Sequence, residues 1–196
     1  LDVSSVSPIP VSAFNILGLS NQDRQHISEF LDNVNFGNSQ NIISLSTMYS
    51  DPSDERINRT FKKFEKRQYS DLPPLMDLDM LGRDEKDLFD VINQIGREVS
   101  VGFPPALLRG LARWPKLLPI IWNTLSMIDS DGRLEQLKQK SRDEAFKHSS
   151  ILASQINRIN PPEVGDQVLE QLKKLTQGGI PRMLPVGLLL HKMLSK

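Results

Sequence analysis

The residues Phe36-Gly37-Asn38 carry the clearest hint of chemistry in this 196-residue chain. A short amide side chain beside an aromatic can hold a water molecule while a neighbouring base takes its proton. The same residues also read as a plain helix end, because Gly and Asn are the usual residues of a left-handed C-cap. Other chemistries are poorly represented. There is no cysteine, which excludes disulfides, thiolate nucleophiles and Cys-based zinc sites. His26, His148 and His191 are scattered, and no HExxH or similar ligand spacing occurs. Asp129-Ser130-Asp131-Gly132 resembles the start of a calcium loop. Its glycine is fourth rather than sixth, however, and Lys140 stands where the bidentate glutamate belongs. It therefore reads as a turn between helices. There is no GxSxG elbow and no P-loop. A Ser-His-Asp triad assembled from distant residues would leave no mark at this level.

Arg56, Arg59, Lys62, Lys63, Lys66 and Arg67 form a basic cluster, tempered by Asp54, Glu55 and Glu65. It reads as a solvated helix face or as a contact for an anion or partner, with Phe61 and Phe64 anchoring the helix. Lys+Arg and Asp+Glu both number 24, giving a formal net charge of zero. Such a chain lacks the broad positive field that draws proteins onto nucleic acid, so nucleic acid is not the expected partner.

The elements that must position these residues are helical. Ser20 and Asp23 have capping-box spacing, and Ile27, Phe30, Leu31 and Val34 follow at i, i+3, i+4, i+7. That helix is expected to stop at Phe36-Gly37-Asn38, before a second apolar cluster of Ile42, Ile43, Leu45 and Met48. Asp51-Pro52 can open a polar helix to about Arg67. Pro73-Pro74 and Gly82 mark a linker. Leu88, Val91, Ile92, Ile95 and Val99 form the next stripe. Pro104-Pro105 opens a short helix that Trp114-Pro115 ends, and an apolar helix runs from Leu117 to Ile128. A long amphipathic helix carries Leu134, Leu137, Phe146, Leu152 and Ile156. After Asn160-Pro161-Pro162, Val164, Val168, Leu172 and Leu175 make one more stripe. Gly178-Gly179 then separates a last apolar segment, Ile180–Leu194. No period-2 alternation is sustained. The expectation is all-α, an irregular multi-helix bundle of ~8 or more short helices. The expected interior of residues 84–128 is Leu88, Val91, Ile95, Leu111, Trp114, Leu117, Leu118 and Ile121.

Two segments in order carry a resemblance. Phe36-Gly37-Asn38 closes a helix that begins after Leu17-Gly18-Leu19-Ser20. Later comes the run from Pro104 to Pro119, which includes Arg109-Gly110-Leu111-Ala112-Arg113-Trp114-Pro115-Lys116. This arrangement resembles the group I 2-haloacid dehalogenases, over about residues 15–190. The resemblance implies part of a two-repeat, pseudo-dimeric helical fold. Residues 1–69 would then be the end of a first repeat plus the polar helix, 70–83 a linker, and 84–196 the second repeat. It implies hydrolysis of short 2-halocarboxylic acids by direct attack of an activated water, with no metal and no organic cofactor. By resemblance Asn38 positions that water, and Phe36, Asn41, Phe103 and Leu107 line the pocket. The family's water-activating aspartate lies seven residues before the tryptophan. Here that position is Leu107, and Gly102–Ala112 holds no carboxylate. Leucine cannot accept a proton. The resemblance thus leaves two readings: a hydrolase acting on a small halocarboxylic or other small acid, or an inactive helical binding protein on the same scaffold. On the first, Leu107→Asp would move the chain toward activity only if the rest of the first repeat, which by the resemblance supplies part of the pocket wall, were also provided.

The chain begins at Leu1 without an initiator methionine and reads as a fragment or processed product. Residues 1–17 have no basic n-region, and Pro8 and Pro10 interrupt them, so no signal peptide is read there. No apolar stretch approaches the ~20 residues of a membrane span. With the lack of cysteine, this points to a cytoplasmic protein. A homodimer is compatible with everything above.

Overall fold

The computed structural model describes residue 3 and residues 6–52, 74–97, 104–156 and 165–194. Every regular element among them is helical: α1 (Val11–Ile16), α2 (Asn21–Thr47), α3 (Arg83–Gln94), α4 (Ala106–Leu111), α5 (Leu118–Ser130), α6 (Arg133–Ile156), α7 (Asp166–Lys174) and α8 (Ile180–Leu194). The expected polar helix after Pro52, the Asn160-Pro161-Pro162 break, Val99 and Phe103 lie outside the described residues.

The longest element, α2, begins where the capping box places it. The Ser20 hydroxyl accepts from the Asp23 amide at 3.1 Å, and the Asp23 carboxylate accepts from the Ser20 amide at 2.8 Å. The helix does not stop at Phe36-Gly37-Asn38, as the sequence suggested; it runs on to Thr47. A glycine inside a helix costs only about 1 kcal/mol, and the apolar face continues beyond it. Leu31 and Ile42 are eleven residues apart, close to three helical turns, and both are buried.

One core joins residues from both halves of the chain. In it α8 and α6 pack along α2, and α5 packs against α3. Two glycines let helices approach closely. A Cβ on Gly110 of α4 would fall 1.9 Å from the Phe30 ring, and one on Gly187 of α8 would fall 1.9 Å from Asn35 Oδ1. The expected interior of residues 84–128 is largely correct: Leu111, Trp114, Leu117, Leu118 and Ile121 are buried, and Leu88 and Ile95 pack partly buried against the core. Val91 is the exception, at 51% exposed. Phe89 takes the core-facing position instead, three residues before Ile92, and turns Val91 outward.

Gly178-Gly179 does not break the chain either. Leu175–Gly179 form a single π turn that carries α7 directly into α8. Pro181 explains the local irregularity. It has no N–H to offer the Gln177 carbonyl four residues earlier, and Arg142 Nε donates to that oxygen instead, at 2.6 Å. The turn expected at Asp129–Gly132 is shorter: α5 runs on through Ser130, and Asp131-Gly132 make the turn, with Gly132 at φ 77°.

Candidate functional site

The structure separates the residues that the sequence grouped for chemistry. Asn38 and Phe36 are half-buried on α2 and Asn41 is exposed. At about 100° per residue Phe36 points to the side of the helix opposite Asn38, while Asn41, three residues on, shares the face of Asn38. Asn38 lies in the middle of the helix rather than at a turn. The amide that α2 does bury is Asn35, one turn earlier, whose Oδ1 has no hydrogen-bond partner and lies against Gly187. Leu107 is 1% exposed and belongs to the main core. Two surface clefts lie elsewhere. One, of about 440 Å³, is lined by Gln139, Arg142, Asp143, Phe146 and Gln177. The other, of about 390 Å³, is lined by residues of the first turns of α2 and by Leu194.

The run that holds Trp114-Pro115 meets the first turn of α2. Trp114 Nε1 donates to Asp23 Oδ1 at 3.0 Å, and the Ser20 hydroxyl donates to Asp23 Oδ2 at 2.6 Å. These bonds hold the Asp23 carboxyl below its ordinary range, the Ser20 hydroxyl contributing most and the Trp114 indole next. A carboxylate whose oxygens are engaged in this way is a structural acceptor and a poor proton acceptor for catalysis. Beside it, Gly18 takes φ 68°, and the Lys116 ammonium comes within 3.1 Å of where its Cβ would stand. Arg24 lies over the Phe14 ring, 4.9 Å from its centre. Arg109 reaches back to the Met76 carbonyl at 3.3 Å, and Arg113 reaches the Pro74 carbonyl, so α4 and the turn after it anchor the incoming linker.

Sequence reasoning missed a second polar cluster. Arg182 and Lys138 are both buried. Arg182 donates to the Ile95 carbonyl from Nε at 2.8 Å and to the Asn93 carbonyl from a terminal nitrogen at 2.7 Å. Lys138 donates to the Gly96 carbonyl at 3.1 Å and pairs with Glu135 at 2.6 Å. The two cations close the C-terminal end of α3, where free carbonyls carry partial negative charge. Burial lowers the Arg182 pKa to about 10, helped by the like charge of Arg97 and opposed by Asp129. It remains a cation at neutral pH. A signal was present: Arg182 is alone in an apolar run, and Lys138 falls four residues after Leu134, on the inward face of α6.

Among the described residues no group of three or more His, Asp or Glu is placed to hold a metal ion, and no helix is long and apolar enough to cross a membrane. No protein-family model, no curated protein and no solved structure matches the chain.

Proposed function

We propose that this chain is a helical interaction protein that shares its scaffold with the group I 2-haloacid dehalogenases and does not perform their reaction. The observation that carries this reading is the burial of Leu107. The position where the resemblance expects the water-activating carboxylate is an apolar side chain enclosed in the core. Direct displacement of halide by water needs a base within hydrogen-bond reach of that water, and such help contributes ~10²–10⁴ in rate. Asn38 can hold a water but cannot take its proton. The polar residues around the Trp-Pro turn support the same reading, because they are engaged in holding helices together.

Halide release from racemic 2-chloropropionate by the whole chain tests the reading. No release above the buffer rate is expected, even at near-stoichiometric protein. Sustained turnover of both enantiomers would refute it and restore the alternative, a working dehalogenase for short halocarboxylic acids with its base elsewhere.

A further inference from the structure

Glycine follows aspartate or asparagine at one place in the chain, Asp131-Gly132. That pair is the most open of aspartate sequences to a spontaneous change of the backbone. The amide nitrogen after an aspartate can attack the side-chain carboxyl carbon and close a five-membered imide. A glycine there has no side chain to block the approach, and it lets the peptide plane turn. Asp131-Gly132 make the turn between α5 and α6. The Asp131 side chain is 43% exposed, and nothing stands within 4 Å of where a Cβ on Gly132 would lie. Water and room for the reaction are both at hand.

The turn holds the reacting atoms apart in three ways. At Asp131 ψ is 5°, which sets the Gly132 nitrogen beside the nitrogen of Asp131 itself and away from its side chain. The Gly132 N–H donates to the Asp129 carbonyl at 3.0 Å. The carboxylate is gripped by Arg133: Oδ1 accepts from the backbone amide at 3.0 Å, and Oδ2 accepts from Nε and a terminal nitrogen, each at 2.6 Å. These bonds, the guanidinium first and the amide second, hold the carboxyl below its ordinary range. Imide closure needs the protonated acid, because the carboxyl oxygen must leave as water. The first two restraints lie in the backbone of the turn, and the third depends chiefly on one side chain. We propose that Asp131-Gly132 is a site of spontaneous aspartate isomerisation in this chain, and that the Arg133 side chain sets its rate.

In the reaction the Gly132 nitrogen bonds to Asp131 Cγ, and its proton leaves with the carboxyl hydroxyl as water. Water then opens the imide at either carbonyl. Opening at the original main-chain carbonyl leaves isoaspartate, whose backbone runs through Cβ and Cγ and whose α-carboxylate is free. One water leaves and one returns, and no other reactant is needed. The main chain gains one carbon at the entry to α6. Leu134 is fully buried two residues later, and Lys138 closes the end of α3 from the next turn. A change at the surface thus bears on an element that carries core contacts. It needs neither partner nor substrate, so it stands or falls separately from the interaction reading above.

The experiment is incubation of the whole chain in warm neutral buffer, with isoaspartate counted over time. The count is methyl uptake from S-adenosylmethionine by an isoaspartyl methyltransferase, mapped by proteolysis to the peptide that holds residues 131 and 132. Wild type unfolded in guanidinium chloride, and returned to buffer for the assay, marks the upper limit. Folded wild type should gain label far more slowly than that limit, and Arg133→Gln severalfold faster than folded wild type. Asp131→Glu should gain none in this peptide, because its longer side chain would have to close a larger ring. Arg133 is 40% exposed, so its loss should leave the helices intact, which circular dichroism checks. If that variant is unfolded, folded wild type in concentrated sodium chloride decides the matter. Salt screens an exposed ion pair, so a faster rate supports the role of Arg133 and an unchanged rate overturns it. A folded Arg133→Gln that gains label at the wild-type rate overturns the proposal. So does a folded wild type that isomerises as fast as the unfolded chain, or label that persists in Asp131→Glu.

Discussion

Replacing Leu107 by aspartate puts a carboxylate where the dehalogenase reaction would need one. The structure predicts that the result is damage to the core rather than activity. Leu107 is 1% exposed, on a six-residue helix that packs against α2 where Gly110 meets Phe30. Truncating a buried leucine to alanine costs about 3 kcal/mol through lost transfer energy and the cavity left behind. A neutral carboxyl group without a partner adds roughly 1–3 kcal/mol. The total of about 4–6 kcal/mol is comparable with the whole stability of many domains, about 5–15 kcal/mol. The pH dependence has a definite sign. Burial raises a carboxyl pKa, so the folded value lies above the unfolded one of about 4. The variant is then least destabilised below about pH 4, and it loses further stability as the pH rises toward the raised folded value. Urea unfolding followed by circular dichroism at several pH values measures this, with Leu107→Met and Leu107→Ala as references. Leu107→Met should cost less than about 1.5 kcal/mol because it conserves volume, and the step from Ala to Asp isolates the polar part. An aspartate variant with wild-type stability at every pH would show that position 107 reaches water. The reasoning that excludes a base there would then fail. Halide release by that variant would fail it more directly.

Three further outcomes follow from the helix contacts. Asp23 is held below the ordinary carboxylate range by the Ser20 hydroxyl first and the Trp114 indole second, so its contribution is fully present above about pH 4 and disappears as the pH falls through the lower folded value; unfolding curves of Asp23→Asn should have a shallower acid limb than those of the wild type. Gly110→Ala should destabilise by about 1–3 kcal/mol through overpacking, despite a gain of about 1 kcal/mol in helix propensity, since the new Cβ would meet the Phe30 ring; adding Phe30→Leu should recover part of the loss in the same urea titration. Arg182→Met keeps the stem but strands the Asn93 and Ile95 carbonyls, and should cost about 2–4 kcal/mol at roughly 1–3 kcal/mol per unsatisfied group, with amides near the end of α3 losing hydrogen-exchange protection first.

The helical class was legible because apolar periodicity is a local property. So were the capping box of α2, the Pro-opened α4, the stop at Trp114-Pro115 and a turn ending at Gly132. Two of the departures share one cause: glycine suggests a break at Phe36-Gly37-Asn38 and at Gly178-Gly179, where the neighbouring helices keep the chain helical. The phase of Leu31 and Ile42 across Gly37 was in the sequence and argued for continuity. The choice between Phe89 and Val91 as the inward residue of α3 was not, because it depends on how α5 lies against that helix. Nor was the role of Arg182: a buried cation can be suspected from its apolar context, but the carbonyls it serves lie some 87 and 89 residues away along the chain.

The candidate site was less legible than the fold, and the Trp-Pro segment shows why. Its order and separation from Phe36-Gly37-Asn38 suggested a shared reaction. In space the segment has a mechanical role at the other end of α2: the indole of Trp114 reaches the carboxylate of Asp23, which stands three residues from Ser20 to close the capping box. Gly18 must adopt a left-handed conformation beside Lys116 for the two turns to lie together. A requirement of this kind fixes residue types and spacing as tightly as catalysis does, and it needs no substrate. Asn38 has no corresponding requirement; it sits half-buried in an uninterrupted helix. Such a residue would matter to chemistry only through a neighbour able to take a proton. The one that the resemblance nominated, Leu107, instead fills the core.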